Sequence, residues 1–315
     1  MLDVRLEGIH HITAITGDAP GNIEFYTGVL GLRLVKKSVN QDDPTVYHLF
    51  YGDEEGSPGA DLTFFEYPGA ARGRAGAGMA HTIVWRVSST EALRFWESRL
   101  SASGVEARRS GERVRFADPE GLEHELIVPE SADEPLRAVA EDIPPEHALA
   151  GFDGVRAYSA DPARSASLLG RTLGFTPTEG EGVWQVRGER RDGFYAYDAP
   201  PPGVQASQGA GTVHHVAFAA QPQDEERWRE RVAQAGAHPT EVIERLYFRS
   251  VYFREPSGVL FEIATIGPGF AVDEDAAHLG ERLSLPPRLE PLRERLESAL
   301  TPLPPRRRGT HAQAS

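Results

Sequence analysis

The stretch "IHHITAITGDAPGNIEFYTGVLGLRL", residues 9–34, decides the fold. It opens with an apolar run that reads as a strand. Asp18 follows as a helix cap, and Pro20 falls in a first helical turn, where a missing N–H costs nothing. Ile23, Phe25, Tyr26, Val29 and Leu30 then recur at helical spacing, and Gly31 ends the helix. The pattern returns at 79–107 ("MAHTIVWRVSSTEALRFWESRLSASGVEA"), 152–177 ("FDGVRAYSADPARSASLLGRTLGFTP") and 213–239 ("VHHVAFAAQPQDEERWRERVAQAGAHP"). The caps recur as Ser89 or Thr90, Asp161 and Asp224, and the stops as Gly104, Gly174 and Gly236. Hairpins fill the intervals: 46–68, 114–128 with an Asp-Pro-Glu-Gly turn, and 250–265 with a Glu-Pro-Ser-Gly turn. The chain is therefore one unit, strand–helix–three strands, written four times, which makes the class α+β.

A polar, proline-rich stretch at 129–152 separates the second unit from the third. The expected division is residues 7–130 (units one and two), a linker at 131–150, residues 151–267 (units three and four), and a tail at 268–315. The tail carries one short amphipathic helix with Leu289, Leu292, Leu296 and Leu300 on one side, and its end should fray.

Composition narrows the function. With 315 residues, 40% hydrophobic and 25% charged, the chain has the makeup of a globular protein with two domains. No run is long enough to span a membrane, and the N-terminus lacks a signal-peptide pattern, so the expected location is the cytoplasm. Cysteine is absent, which excludes disulfides and thiolate chemistry. The net charge of −14 argues against nucleic acid, and the only basic cluster, "PPRRRG" at 304–309, lies in the proline-rich tail. The partner expected is a small molecule, with a homo-oligomer possible.

The repeat also has chemical content. His11 aligns with His81 and His215, and with Gly154 in the third unit. The last hairpin strand supplies an acidic column: Glu66, Glu125 and Glu262, with only Asp198 nearby in the third unit. Residues two apart on a strand share a face, so His11, Thr13 and Ile15 face together, as do His215, Ala217 and Ala219. Two imidazoles and a carboxylate, His11, His215 and Glu262, converging from three strands make the facial triad that holds non-haem Fe(II) with open positions. A buried carboxylate among apolar neighbours is costly without a cation. Glu66 could complete a four-ligand site; the plainer reading puts it one residue out of register, facing solvent.

The four-unit layout resembles the vicinal oxygen chelate superfamily (glyoxalase, bleomycin resistance and extradiol dioxygenase proteins). Its members build half-barrels from paired βαβββ modules around a divalent metal. The stretches "LEGIHHITAITGDAPGNIEFYTGVLGLRLVKKSVNQDDP", "GTVHHVAFAA", "ERLYFRSVYFREPSGVLFEIATIGPGF" and "PGFAVDEDAAHLGERL" resemble its two-domain branch of hydroquinone ring-cleaving dioxygenases. The resemblance implies His11, His215 and Glu262 as ligands of Fe(II), with Mn(II) also accepted, and His10, Thr13, His214, Arg245 and Tyr252 as groups around them. It implies an extradiol-type opening of a dihydroxybenzene ring with O2, with His214 or Tyr252 as base and Arg245 stabilising negative charge. No organic cofactor is expected. Units one and four should then pair into one cup, leaving units two and three a second cup without metal. Two other readings share the fold: a glyoxalase-like isomerase with a fourth ligand, and a non-catalytic small-molecule binder.

Overall fold

The computed structural model describes residues 4–131 and 133–304; the expected fraying end and most of the basic run lie outside them. Each unit contributes four strands. Unit one gives β1 (Leu6–Thr16), β2 (Arg33–Val39), β3 (Tyr47–Gly52) and β4 (Asp61–Glu66). Unit two gives β5 (Met79–Arg86), β6 (Arg108–Ser110), β7 (Arg113–Ala117) and β8 (Glu123–Ile127). Unit three gives β9 (Phe152–Tyr158), β10 (Thr176–Pro177), β11 (Val183–Arg187) and β12 (Asp192–Asp198). Unit four gives β13 (Thr212–Ala220), β14 (Ile243–Glu244), β15 (Arg249–Arg254) and β16 (Leu260–Thr265).

The units assemble into two eight-stranded sheets, ordered β14-β15-β16-β13-β1-β4-β3-β2 and β10-β11-β12-β9-β5-β8-β7-β6. Backbone hydrogen bonds thus join unit one to unit four and unit two to unit three. Apolar packing joins the other pairs. Tyr26 and Phe25 of unit one lie against His124 and Phe116 of unit two, while Phe218 and Phe261 of unit four lie against Tyr195 of unit three. Each unit is bound to one neighbour through its sheet edge and to the other through its apolar face, as the packing of amphipathic layers requires.

The helices follow their signals with three departures. Asp18 and Ser89 cap α1 (Ala19–Ile23) and α2 (Thr90–Ala102) by accepting the N–H of Gly21 and of Ala92, each at 3.1 Å. Asp161 and Asp224 make no such bond; Asp224, before α3 (Glu225–Gln234), accepts from Arg227 instead. In units one and three the helix widens into a π-turn, Glu24–Val29 and Leu168–Thr172. The wider turn brings Phe25, Tyr26 and Leu30 inward together. All four stop glycines are left-handed, with φ of 70°, 74°, 79° and 86°. In the tail, α4 (Arg293–Ala299) buries Leu296, with Leu289 and Leu300 beside it against Val39. Leu292 departs from the expected apolar side, being 43% exposed.

The hairpin turns lock the units together. Asp118, in the Asp-Pro-Glu-Gly turn, accepts the N–H groups of Glu120 and Leu122 and the hydroxyl of Tyr26. Glu255, in the Glu-Pro-Ser-Gly turn, accepts those of Ser257 and Val259 and the hydroxyls of Ser165 and Tyr197. The first network is fully directed. Trp85 donates to His124 Nδ1 at 3.0 Å, and burial keeps His124 neutral by pushing it down to about 3. Its proton is therefore on Nε2, donated to the Tyr26 oxygen at 3.0 Å, which frees the Tyr26 hydroxyl for Asp118. Tyr26→Phe leaves two buried groups short of a partner and should lower stability by about 1–3 kcal/mol, seen as a lower urea midpoint with unchanged slope.

Candidate metal centre

β1 and β13 are antiparallel neighbours at the middle of the first sheet, with Thr13 opposite His215 and His11 opposite Ala217. β16 lies beside β13 and sets Glu262 next to Ala217. Side chains at these positions share the concave face. His11 Nε2 and His215 Nε2 are 3.2 Å apart, and Glu262 Oε2 stands 3.1 Å from the first and 2.9 Å from the second. All three residues are buried, and they form the one such group of metal-ligating side chains among the described residues.

The triangle has the dimensions of a coordination face. Metal bonds of about 2.1 Å meeting at right angles put ligand atoms about 3.0 Å apart. Protonation agrees. His10 Nε2 meets the carbonyl of Thr265 at 3.2 Å, and a carbonyl only accepts, so that nitrogen carries the proton. Burial pushes His10 down to about 3, so it is neutral and its Nδ1 is bare. That atom lies 2.9 Å from His11 Nδ1 and accepts its proton. In the neutral His11 ring the Nε2 lone pair then faces the centre. His214 and His215 repeat the Nδ1–Nδ1 contact at 2.8 Å. Burial alone would raise the Glu262 carboxyl, but protonated His11 and His215 rings beside it hold it well below its ordinary value, a role that passes to a cation when the rings are neutral. Ser250 donates to its Oε1 at 2.5 Å, whereas Oε2 has no hydrogen-bond donor. A carboxylate oxygen and two ring nitrogens facing one point call for a cation, and the residues fit a divalent metal.

The paired histidines owe their geometry to β-bulges. The β1–β13 register slips at His10 and again at His214, so each first histidine is the extra residue of a bulge. Bulges re-aim side chains beside active sites. The β5–β9 ladder slips at the same places, at His81 and at Asp153. His81 is therefore the counterpart of His10, not of His11; Thr82 stands at the ligand position, opposite Arg156. This corrects the alignment drawn from the sequence, in which a bulge is invisible. Glu125 is the true counterpart of Glu262, but in the second cup Arg113 and Arg115 neutralise it. Gly154 cannot ligate, and a Cβ there would come within 2.5 Å of the Phe194 ring.

The sequence profile of the Glyoxalase/Bleomycin resistance protein/Dioxygenase superfamily matches residues 8–126 and 151–263. The chain belongs to this superfamily. MhqA of Bacillus subtilis, provisionally named a ring-cleaving dioxygenase, is 39% identical over 323 residues, covering 95% of this chain and 100% of its own. A chlorohydroquinone/hydroquinone 1,2-dioxygenase of Sphingobium indicum is 31% identical over 312 residues, covering 94% and 96%. A crystal structure of a Bacillus subtilis protein, provisionally named a dioxygenase, superposes with a TM-score of 0.89 at 40% identity over 96% of this chain and 99% of that one. Glyoxalase I from Zea mays shares the fold, with a TM-score of 0.57 at 16% identity over 82% and 92%.

In this superfamily member the concave face opens into a narrow cleft lined by His11, His215 and the rings of Phe50, Phe65 and Phe248. Arg245 and Tyr252 line it, with the guanidinium 5.5 Å from the tyrosine ring centre. Arg245 is tied to Asp42 at 3.0 and 3.3 Å. Leu246, at φ 73°, is the one described non-glycine residue in the left-handed region, and this strained turn lets Arg245 and Phe248 both face the cleft. Phe248 packs on the rings of His10 and His11. Thr13 does not face the cleft freely: its hydroxyl is 2.7 Å from that of Thr63. Sequence reasoning missed Thr63 and His48, which lack a repeat signature, and Asp42, which sits in a loop. Glu66 departs from expectation: it pairs with Thr16, three residues beyond the ligand row, and is buried, accepting the N–H of Ala19. The row position itself is Thr63, opposite Thr13 as Glu262 is opposite Ala217. Among the described residues no helix is long and apolar enough to cross a membrane.

Elemental analysis of purified variants tests the centre. His11→Ala and His215→Ala should each lose bound metal, His81→Ala should keep it, and His10→Phe should bind about 10–100-fold more weakly through the lost support of His11.

Proposed function

We propose that the chain is a non-haem Fe(II) dioxygenase of the extradiol type that opens the ring of a hydroquinone with O2, and that His11, His215 and Glu262 hold the metal. The observation that carries the reading is the composition of the four-position row: two imidazole nitrogens, one carboxylate oxygen and, at the fourth place, a threonine already hydrogen-bonded elsewhere. Three ligands leave positions open for substrate and oxygen. The names of the relatives, a ring-cleaving dioxygenase and a hydroquinone 1,2-dioxygenase, support the same chemistry. A glyoxalase-like isomerase would require a ligand where Thr63 stands and where Glu66 does not reach.

Ferrous iron, when bound, supplies the electron transfer between ring and dioxygen. The chain's own residues do the rest. His10 and His214 orient the ligand rings through their Nδ1 contacts. Burial pushes the Tyr252 phenol up, so it stays protonated at neutral pH and donates a hydrogen bond to an anionic oxygen of the substrate. Arg245, braced by Asp42, adds positive charge on the same side. Phe50, Phe65 and Phe248 exclude water and give the ring an apolar seat. One O2 is consumed per ring, and both atoms remain in the ring-opened product.

Oxygen uptake on adding hydroquinone to Fe(II)-loaded protein is the test. Uptake should be absent in the zinc-loaded protein, since zinc has no redox chemistry, and in the Glu262→Gln variant. Turnover of the methylglyoxal–thiol adduct without oxygen uptake would replace this reading with the isomerase.

A further inference from the structure

Thr63 holds the one ligand position of the cup that carries no ligand, and what surrounds it repeats the opposite arm. In unit four, Tyr252 pairs with Glu262 and Ser250 lies two residues before it, donating to the Glu262 carboxylate. In unit one, Phe50 pairs with Thr63, and His48 lies two residues before it, with Nε2 at 2.9 Å from the Thr63 hydroxyl. His48 is thus the counterpart of Ser250, on the arm of the half-barrel facing Tyr252. Since Thr63 is held by Thr13 and His48 together, it cannot swing to the centre, and the coordination position on its side stays open. A ring entering there by one oxygen extends along this arm.

His48 is built to meet that ring. Its imidazole is clamped between Phe50, with centroids 3.9 Å apart, and Phe65, at 4.4 Å. It lines the cleft, and its Nδ1 has no hydrogen-bond partner among the described residues. Burial pushes its imidazole well below the ordinary value, so it is neutral. In either tautomer the atom left over is useful. With the proton on Nε2, Nδ1 accepts from a phenolic O–H; with Nε2 accepting from Thr63, Nδ1 donates to a phenolic oxygen. Arg245 and Tyr252, which serve the anionic oxygen, stand on the other arm, the guanidinium bonded to Asp42 and over the tyrosine ring.

We propose that His48 is a specificity-determining residue that hydrogen-bonds the second hydroxyl of a dihydroxybenzene, so that the cleft selects two-oxygen rings over monophenols. This rests on the functional reading above, but its test does not require turnover. Hydroquinone and phenol are titrated anaerobically into metal-loaded wild-type protein and into His48→Leu and His48→Gln, with binding followed by calorimetry. One hydrogen bond of this kind predicts that the wild type binds hydroquinone about tenfold more tightly than phenol. That preference should fall to near unity in His48→Leu, through loss of hydroquinone affinity with phenol affinity unchanged, and should return in part in His48→Gln. In oxygen-uptake assays the same variant should raise KM for hydroquinone with little change in kcat. A wild type without preference, or a preference that survives in His48→Leu, overturns the assignment; should His48→Leu fail to fold, the wild-type ratio and His48→Gln decide it. Wild-type preference without oxygen uptake would sink the dioxygenase reading and leave this one standing.

Discussion

The site depends on the antiparallel pairing of β1 with β13. His11 and His215 are 204 residues apart in the chain, and only this ladder brings their Nε2 atoms to 3.2 Å. Such a contact carries a large loop-closure cost, which the interdigitated aromatic faces of units one and two, and of three and four, offset through burial. The pairing also shapes the site directly. Each bulge inserts an extra histidine beside a histidine of the triangle, with the two rings in Nδ1–Nδ1 contact, and at His10 the carbonyl of Thr265 sets which nitrogen carries the proton. The same backbone irregularity and ring contact are used twice.

The second sheet shows what the same scaffold does without the chemistry. Its bulges fall at the same places, and its last-strand glutamate occupies the same position. There Thr82 and Gly154 replace the imidazoles, Phe194 fills the space above the glycine, and two arginines satisfy the carboxylate. A buried carboxylate demands positive charge in both cups; one meets it with guanidinium groups, and the other presents a metal-shaped triangle. Fold and function separate cleanly here, because the scaffold is common and only a handful of side chains differ. The row positions form a consistent series: Glu262 held by Ser250, Glu125 by Arg113, and Thr63 by His48.

Much of this was legible in the chain. The fourfold repeat, with its caps, glycine stops and hairpin turns, signals short-range geometry that each residue imposes on its own neighbourhood, so it survives translation into structure almost unchanged. The convergence of His11, His215 and Glu262 was legible for the same reason, since they sit at fixed places in repeated strands. His81 was assigned to the wrong column, because a bulge is a property of two strands paired and leaves no mark on one. Glu66 misled likewise: an acid near the end of a strand looks the same from sequence whether it stands in the ligand row or three residues beyond.

The sequence by itself determined the unit, its number, the residues with metal-binding chemistry and the absence of thiols, since these depend on composition and local conformation alone. Tertiary structure alone decided which units share a sheet, which ring nitrogens face the centre, that Thr63 takes the fourth place, and that His48 stands over it. Those facts depend on register between strands distant in the chain, where a shift of one residue turns every side chain to the opposite face.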